Sequence, residues 1–131
     1  MASNAANLGL STLIVDDSRT TRMVLRRIME SLGCEVEEAE HGAQALERLS
    51  AHGSYDLALI DWNMPVMNGL DLLNKLSTLL QYAQMRILMI STRGELDDML
   101  EAITVGATDY LTKPFSKMEL IEKLDSLGFS V

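Results

Sequence analysis

Carboxylate, hydroxyl and amine side chains follow short apolar runs at several points along this chain. The residues concerned are Asp16, Asp17, Asp61, Ser91 and Lys113. If the runs are neighbouring parallel strands, their carboxyl ends meet at one end of a sheet, and these side chains converge there. Three carboxylates a few ångströms apart repel one another strongly, so such a group needs cations to hold it together.

Two sources of positive charge are available to this group. Lys113 supplies one charge, and a hard divalent cation with oxygen ligands supplies two. Mg²⁺ fits, because it takes one or two carboxylates and keeps water molecules and a substrate phosphate oxygen as further ligands. A simpler interpretation is that Asp16, Asp17 and Ser18 only cap the following helix. That interpretation explains neither Asp61 nor Lys113, so we favour the cation site.

The pattern of apolar residues predicts the elements that position these side chains. Five strands are predicted at 12–15, 35–39, 56–60, 86–91 and 109–112. Each is followed by apolar residues at helical spacing, and the third and fourth of these stripes run from Leu70 to Leu80 and from Leu96 to Ile103. Strict alternation of this kind predicts right-handed crossovers and a parallel sheet with helices on both faces.

The composition of the strands predicts their order. The most apolar strands belong in the centre, whereas 35–39 carries three glutamates, which suit an edge, and 109–112 forms the opposite edge. The predicted fold is therefore α/β, a doubly wound (βα)5 domain with strand order 2-1-3-4-5. We expect a short polar N-terminal extension over 1–10 and a single domain over 11–129.

Composition and charge exclude several classes of function. The chain has 131 residues with 19 acidic and 11 basic side chains, which leaves a net charge of −8. Binding of nucleic acid or of an anionic membrane surface needs basic surface, so both are disfavoured. No apolar run approaches the roughly 20 residues of a membrane-spanning helix. The single cysteine, Cys34, cannot form an internal disulfide, and we expect a cytoplasmic protein.

Four motifs resemble those of the receiver domains of two-component response regulators. They are Ile14-Val15-Asp16-Asp17, Asp61-Trp62-Asn63-Met64-Pro65-Val66-Met67-Asn68-Gly69, Ile90-Ser91-Thr92 and Lys113-Pro114-Phe115. The first five residues of the second motif are especially similar to the stand-alone chemotaxis type. The resemblance covers roughly residues 11–129 and implies a flavodoxin-like fold with a cis Lys113–Pro114 bond.

The resemblance implies a role for each matching residue. Asp61 is the implied phosphoacceptor, which takes a phosphoryl group from a histidine kinase, a phosphotransfer protein or a small donor. Asp17, Asp61 and the backbone carbonyl of Asn63 are the implied Mg²⁺ ligands, with Asp16 bound through water. Lys113 is expected to pair with a phosphoryl oxygen.

Further residues are implied to switch the domain or to tune its rate. Ser91 and Thr92 compete for the switch hydroxyl, and the family's spacing to the lysine selects Ser91, behind which Tyr110 turns inward. Thr92 then stands where the family prefers Ala or Gly, and we expect its bulk to hinder access to the acceptor. Asn63 and Arg93 are implied to flank the hydrolytic water and to set the rate of autodephosphorylation, with a solvated loop residue as an equal alternative for Arg93.

The implied function is a signalling switch that catalyses only its own phosphorylation and dephosphorylation. The implied output is a protein contact through the fourth helix, fifth strand and fifth helix, because we expect no output domain after Val131. An aspartate-nucleophile phosphatase is an alternative, although those enzymes resemble an Asp-x-Asp pattern that Asp61-Trp62-Asn63 lacks. A flavin-binding module and a phosphorylation-independent pseudoreceiver are further alternatives.

Two features remain open to a structural or a functional interpretation. Arg19, Arg22 and Arg26 share one face of the first predicted helix, where we favour a solvated face over a docking patch for an acidic partner. Trp62 is predicted to be a partly exposed loop aromatic.

Overall fold

The computed structural model describes residues 7–129. Five strands alternate with five helices. The strands are β1 (Ser11–Val15), β2 (Glu35–Ala39), β3 (Leu57–Asp61), β4 (Arg86–Ser91) and β5 (Asp109–Thr112). The helices are α1 (Arg19–Ser31), α2 (Gly42–His52), α3 (Gly69–Ser77), α4 (Leu96–Val105) and α5 (Lys117–Ser126). A 3-10 turn at Leu80–Tyr82 precedes β4.

The five strands form one parallel sheet in the order β2-β1-β3-β4-β5. The predicted fold and strand order are therefore confirmed, with the glutamate-rich β2 at one edge and β5 at the other. The register places Val15 beside Ile60, and Asp61 beside Ile90. Ser91 pairs with Thr112, the residue before Lys113. The carboxyl ends of β1, β3, β4 and β5 thus lie along one end of the sheet.

The alternation of side chains along the strands divides the core into two clusters. Leu13 and Val15 point to the cluster that packs beneath α2, α3 and α4. Ile14 and Leu59 point to the opposite cluster, beneath α1 and α5. Both faces of the sheet are therefore covered, which explains why its central strands are apolar throughout.

The third predicted helical stripe is only partly correct. The third helix ends at Ser77, and Leu80 is 90% exposed in the 3-10 turn. The fourth stripe lies on a helix, as predicted, and the structure adds that its Leu96, Leu100 and Ile103 are exposed. Because α4 lies near the edge of the sheet, only a narrow side of it faces the core, and Ala102 is its one fully buried residue. Exposure of the rest is a tertiary effect that periodicity alone does not reveal.

The predicted domain over 11–129 lies within the described residues, whereas the predicted N-terminal extension does so only in part. Of the predicted extension 1–10, residues 1–6 fall outside them. Leu8 and Leu10 pack against the α1/α5 cluster, and the Leu8 N–H donates to the Leu32 carbonyl. No helix within residues 7–129 is long and apolar enough to cross a membrane.

Candidate functional site

Three carboxylates converge at the carboxyl end of the sheet, as the sequence predicts. One carboxylate oxygen from each of Asp16, Asp17 and Asp61 lies within 4.8 Å of the others. Asp61 is the last residue of β3, and Asp16 and Asp17 follow β1 directly. Asp16 is 2% exposed and Asp61 7% exposed, whereas Asp17 lies open to solvent. The result is a carboxylate cluster that is buried on one side and accessible on the other.

Asp16 is fixed by hydrogen bonds from three directions. The Ser18 N–H donates to Asp16 Oδ1 (2.8 Å), and Lys113 Nζ donates to Oδ2 (2.9 Å). The Arg22 guanidinium donates to the Asp16 backbone carbonyl (2.7 Å). Ser18 also caps α1 by accepting the Thr21 N–H. The capping interpretation is thus correct for Ser18, while Asp16 faces the cluster.

The backbone beyond Asp61 is packed too tightly for a side chain at Gly69. A Cβ atom added there would lie 2.2 Å from the Asp61 carbonyl oxygen. The Gly69 N–H donates to the Trp62 carbonyl (2.8 Å), which folds the loop back over the end of β3. Gly69 is a positioning residue: it is the last residue of the motif that begins at Asp61, but the motif alone did not indicate what Gly69 does.

Lys113 lies between the two buried carboxylates. Its Nζ is 2.9 Å from Asp16 Oδ2 and 3.3 Å from Asp61 Oδ1. The bond before Pro114 is cis, and the Lys113 N–H donates to the Ser91 carbonyl (2.8 Å), which holds the chain against β4. The predicted convergence of the amine with the carboxylates is therefore present in the structure.

The electrostatics of the cluster show that it lacks positive charge. Burial and the adjacent charge of Asp16 raise the pKa of Asp61 from 3.8 to about 6, although Lys113 opposes the rise. Burial on its own would lower the pKa of Lys113, but the hydrogen bond and charge of Asp16 outweigh it and raise that pKa. Lys113 thus offsets only part of what raises the pKa of Asp61. A further cation would stabilise the ionised carboxylate.

Ser91 and Thr92 occupy different environments at the end of β4. Ser91 is completely buried and its Oγ accepts the Arg93 N–H (3.0 Å), whereas Thr92 is exposed. Thr92 lies instead in the wall of an open groove of about 670 Å³ that also includes Lys113 and Phe115. Of the two hydroxyls, only that of Ser91 is enclosed with the cluster.

Arg93 connects four parts of the site. Its guanidinium donates to Asn63 Oδ1 (3.3 Å), lies 4.8 Å from the Trp62 ring centre and is 3.8 Å from Asp98 Oδ1. Its carbonyl accepts the Tyr110 hydroxyl (2.6 Å). Tyr110 is buried, with its ring in edge contact with Trp62. Asp98, on α4, is a member of this network that the sequence reasoning missed.

The prediction for Trp62 is wrong, because the ring is 4% exposed. It is covered by the Arg93 guanidinium on one side and meets the Tyr110 ring on another. A loop position indicates exposure only when no neighbouring side chain folds over it, and here Arg93 comes from a separate loop. The chain's single tryptophan therefore lies inside the network that surrounds the site.

Neither interpretation of the α1 arginines holds for Arg22 and Arg26. Arg22 is 9% exposed and donates to Glu38 on β2 (2.9 Å), and Arg26 donates to the same carboxylate (2.5 Å). Arg26 also pairs with Glu30 (3.0 Å). Of these three arginines, Arg19 is exposed and forms no salt bridge within residues 7–129. The arginines fasten α1 to the edge strand, which a helical wheel of α1 alone does not show.

Known proteins with this sequence pattern and this fold identify the family. The response regulator receiver domain family matches residues 12–125. The chain is 40% identical to the chemotaxis protein CheY1 of Helicobacter pylori over 117 residues, which are 88% of this chain and 94% of that protein. The solved structure of the chemotaxis protein CheY4 of Vibrio cholerae is 32% identical and gives a TM-score of 0.83, over 95% of this chain and 99% of that one.

A third relative was solved as a complex. A chain of the CheX–CheY–beryllofluoride–Mg²⁺ complex of Borrelia burgdorferi gives a TM-score of 0.84 at 26% identity, over 92% of this chain and 90% of that one. Sequence and structure agree on the same assignment across most of the chain. The chain belongs to the family of response regulator receiver domains, and among them it is of the chemotaxis CheY type.

Proposed function

We propose that this receiver domain is switched by transfer of a phosphoryl group to Asp61. The observation that carries the proposal is a buried carboxylate at the end of β3 that faces Lys113 and two further carboxylates. An ion pair with a purely structural role would need only one carboxylate beside Lys113. It would not need the two further carboxylates or a side that is open to solvent. We propose further that the domain acts only on its own Asp61, taking the group from a histidine kinase, a phosphotransfer protein or a small phosphodonor.

The residues present fit a Mg²⁺ ion. Their donor atoms are all oxygens, and the three carboxylates already lie within 4.8 Å of one another. Asp17, Asp61 and the backbone carbonyl of Asn63 would hold the ion, with Asp16 bound through water. When bound, the ion would neutralise charge on the transferred phosphoryl group. The magnesium in the Borrelia complex supports this assignment for a relative of the same fold.

The chain's own residues have separate tasks in the transfer. A carboxylate oxygen of Asp61 forms the new bond to phosphorus while the bond from phosphorus to the donor nitrogen or oxygen breaks. A protonated oxygen could not form this bond. Because the pKa of Asp61 is raised, a bound cation would help to keep the carboxylate ionised. Lys113 is placed to exchange its contact with Asp61 for one with a phosphoryl oxygen.

Ser91 and Tyr110 are the proposed switch residues. The Ser91 hydroxyl oxygen accepts the Arg93 N–H, and on phosphorylation its own proton would be donated to a phosphoryl oxygen. A shift of Ser91 towards Asp61 would move the Arg93 backbone, whose carbonyl holds the Tyr110 hydroxyl. The effect of phosphorylation would thus be transmitted to β5 and α4 through the short segment from Ser91 to Arg93.

Asn63, Thr92 and Arg93 are proposed to set the rates. Arg93 holds the Asn63 side-chain oxygen, which limits the freedom of that amide to orient an attacking water. Thr92 stands exposed in the groove next to Lys113, where its bulk narrows the approach of a donor. An unchanged rate of phosphorylation by acetyl phosphate in Thr92→Ala would contradict the second of these assignments.

The proposed output is a protein contact through α4, β5 and α5. Support for it comes from α4, whose Leu96, Leu100 and Ile103 are exposed. The CheX contact of the Borrelia complex shows that a relative of this fold binds a partner protein. A histidine kinase or phosphotransfer protein upstream and a target protein downstream are the proposed partners.

Phosphorylation by acetyl phosphate tests the proposal directly. We expect the wild type to gain one phosphoryl group in the presence of Mg²⁺, and Asp61→Asn to gain none. Asp71→Asn is a matched control, since Asp71 is an exposed carboxylate on α3. Addition of beryllofluoride with Mg²⁺ should change the fluorescence of Trp62 in the wild type and not in Asp61→Asn. Equal phosphorylation of the wild type and Asp61→Asn would refute the assignment.

A further inference from the structure

The fourth helix exposes an apolar stripe beside an acidic one. Leu96, Leu100 and Ile103 are 68%, 54% and 42% exposed, and their spacing places them on one side of the helix. Asp97 and Glu101 are also exposed and lie one helical turn apart on the neighbouring side. The remaining side of α4 is occupied by its contact with the core, through Ala102.

The two carboxylates of this stripe have no cationic partner in the domain. No salt bridge within residues 7–129 includes Asp97 or Glu101, whereas their neighbour Asp98 pairs with Arg93. Asp97 lies in the first turn of α4, where its charge stabilises the helix amino terminus. Glu101 lies beyond that turn and gains little from the helix dipole. Its unpaired charge, next to an apolar stripe, is therefore available to a partner.

We infer that this surface binds a protein segment that presents aliphatic side chains flanked by lysines or arginines. Aliphatic side chains would cover Leu96, Leu100 and Ile103, and the basic side chains would reach Asp97 and Glu101. The inference rests on the proposed function, because it specifies the chemistry of the partner that the output surface accepts. On this inference, the α4 surface selects among partner segments by their charge as well as by their apolar side chains.

Charge also decides against a second copy of this chain as the occupant. Each copy has a net charge of −8. Pairing two α4 surfaces would bring Asp97 and Glu101 of one copy towards a second acidic protein without any basic group on α4 to meet them. An acidic partner segment is disfavoured for the same reason. A basic amphipathic segment satisfies both stripes at once.

Binding of two designed peptides tests the inference. Both are about 15 residues long, with leucines on one helical face. One carries lysines at the flanking positions and the other carries glutamates. Affinities are measured by fluorescence anisotropy with the full chain, with and without beryllofluoride and Mg²⁺. We expect the lysine peptide to bind and its affinity to fall with added salt, and the glutamate peptide not to bind.

Variants locate the binding surface. We expect Glu101→Lys to weaken the lysine peptide about fivefold and Leu100→Ala to weaken it about tenfold. Glu47→Lys, at an exposed site on α2, makes the same change of charge away from the surface and should have little effect. Equal weakening by Glu47→Lys and Glu101→Lys would show unspecific attraction to an acidic protein and overturn the inference. So would preference for the glutamate peptide, or dimerisation of the wild type that Leu100→Ala abolishes.

The Trp62 fluorescence of the same samples separates the two proposals. If beryllofluoride and Mg²⁺ change that fluorescence but neither peptide binds, the switch site is intact and only the inferred partner chemistry is wrong. If the fluorescence does not respond, the proposed function fails at Asp61. The peptide result with the untreated protein then still decides whether the α4 surface selects basic segments.

Discussion

Helices α1 and α4 are fastened to the same sheet in opposite ways. Helix α1 is capped by the Ser18 side chain, buries Leu25 and Met29, and is tied to β2 by Arg22. Helix α4 begins at Leu96, its N-cap residue Glu95 makes no side-chain cap, and it fully buries only Ala102. Its one salt bridge within residues 7–129, from Arg93 to Asp98, is long and partly exposed.

This difference in attachment matches the proposed roles of the residues that precede each helix. Helix α1 follows Asp16, and its Arg22 holds the Asp16 carbonyl, so any movement of α1 would displace a carboxylate of the cluster. Helix α4 follows Ser91 and Arg93, the segment that we propose to move on phosphorylation. Regions with few buried contacts open at low free-energy cost. The domain thus combines a fixed carboxylate cluster with a loosely held helix.

Truncation of one leucine on each helix should give the largest contrast. Leu25 is 2% exposed, so Leu25→Ala leaves a cavity and we expect a loss of about 3 kcal/mol in the free energy of unfolding. Leu100 is half exposed, so Leu100→Ala should cost less than about 0.5 kcal/mol. Urea denaturation followed by circular dichroism measures both. Similar losses for the two variants would remove the distinction between the helices.

The arginine anchor of α1 gives the next largest effect. Arg22→Ala leaves the Asp16 carbonyl without its donor and removes one of two arginines from Glu38, and we expect a loss of about 2 kcal/mol. Arg19→Ala is the matched control on the same helix, because Arg19 is exposed, and it should change the stability by less than about 0.5 kcal/mol. Equal effects of the two variants would show that the anchor contributes nothing.

The same contrast explains what the sequence could and could not predict. Strand order and the convergence of Asp61 with Lys113 follow from apolar periodicity and from the geometry of parallel sheets, which are local or topological rules. The burial of Arg22 depends on Glu38 across the sheet edge, and that of Trp62 depends on Arg93 from another loop. Such contacts join residues distant in sequence, so no periodicity within one element encodes them.

The exposed stripe of α4 was missed for a related reason. Leu96, Leu100 and Ile103 have the same spacing as a core-facing stripe, yet all three are exposed. Spacing predicts a shared side of the helix but not which surface covers it. A helix near the sheet edge has a narrow contact with the core, and the apolar residues beyond this contact are left for another surface.

Burial of Asp61, together with the adjacent charge of Asp16, makes stability depend on the charge of Asp61. The pKa of Asp61 is raised to about 6 in the folded protein, so this residue's contribution to stability is complete below about pH 4 and is lost as the pH rises through 6. Asp61→Asn should therefore match the wild type at pH 4 and exceed it by about 1–2 kcal/mol at pH 7 in EDTA. Urea denaturation across this range measures the difference.

Magnesium provides the control for that pH dependence. Added Mg²⁺ should stabilise the wild type at pH 7, because it binds the folded cluster, and should have much less effect on Asp61→Asn. If Asp61→Asn were more stable than the wild type by the same amount at pH 4 and pH 7, the charge of Asp61 would not be the cause of its stabilisation.

The smallest expected effect concerns the salt bridge between Arg93 and Asp98, which connects α4 to the site. Asp98→Asn removes the charge that faces Arg93 and should change the global stability by less than about 0.5 kcal/mol, since the pair is partly exposed. We nevertheless expect faster amide hydrogen exchange along α4 and unchanged exchange along α1, because only α4 loses an attachment. Asp97→Asn is the matched control, as it removes a neighbouring carboxylate that has no salt bridge within residues 7–129. If Asp97→Asn accelerates exchange in α4 as much as Asp98→Asn does, the helix dipole holds α4 in place, and the Arg93 link does not.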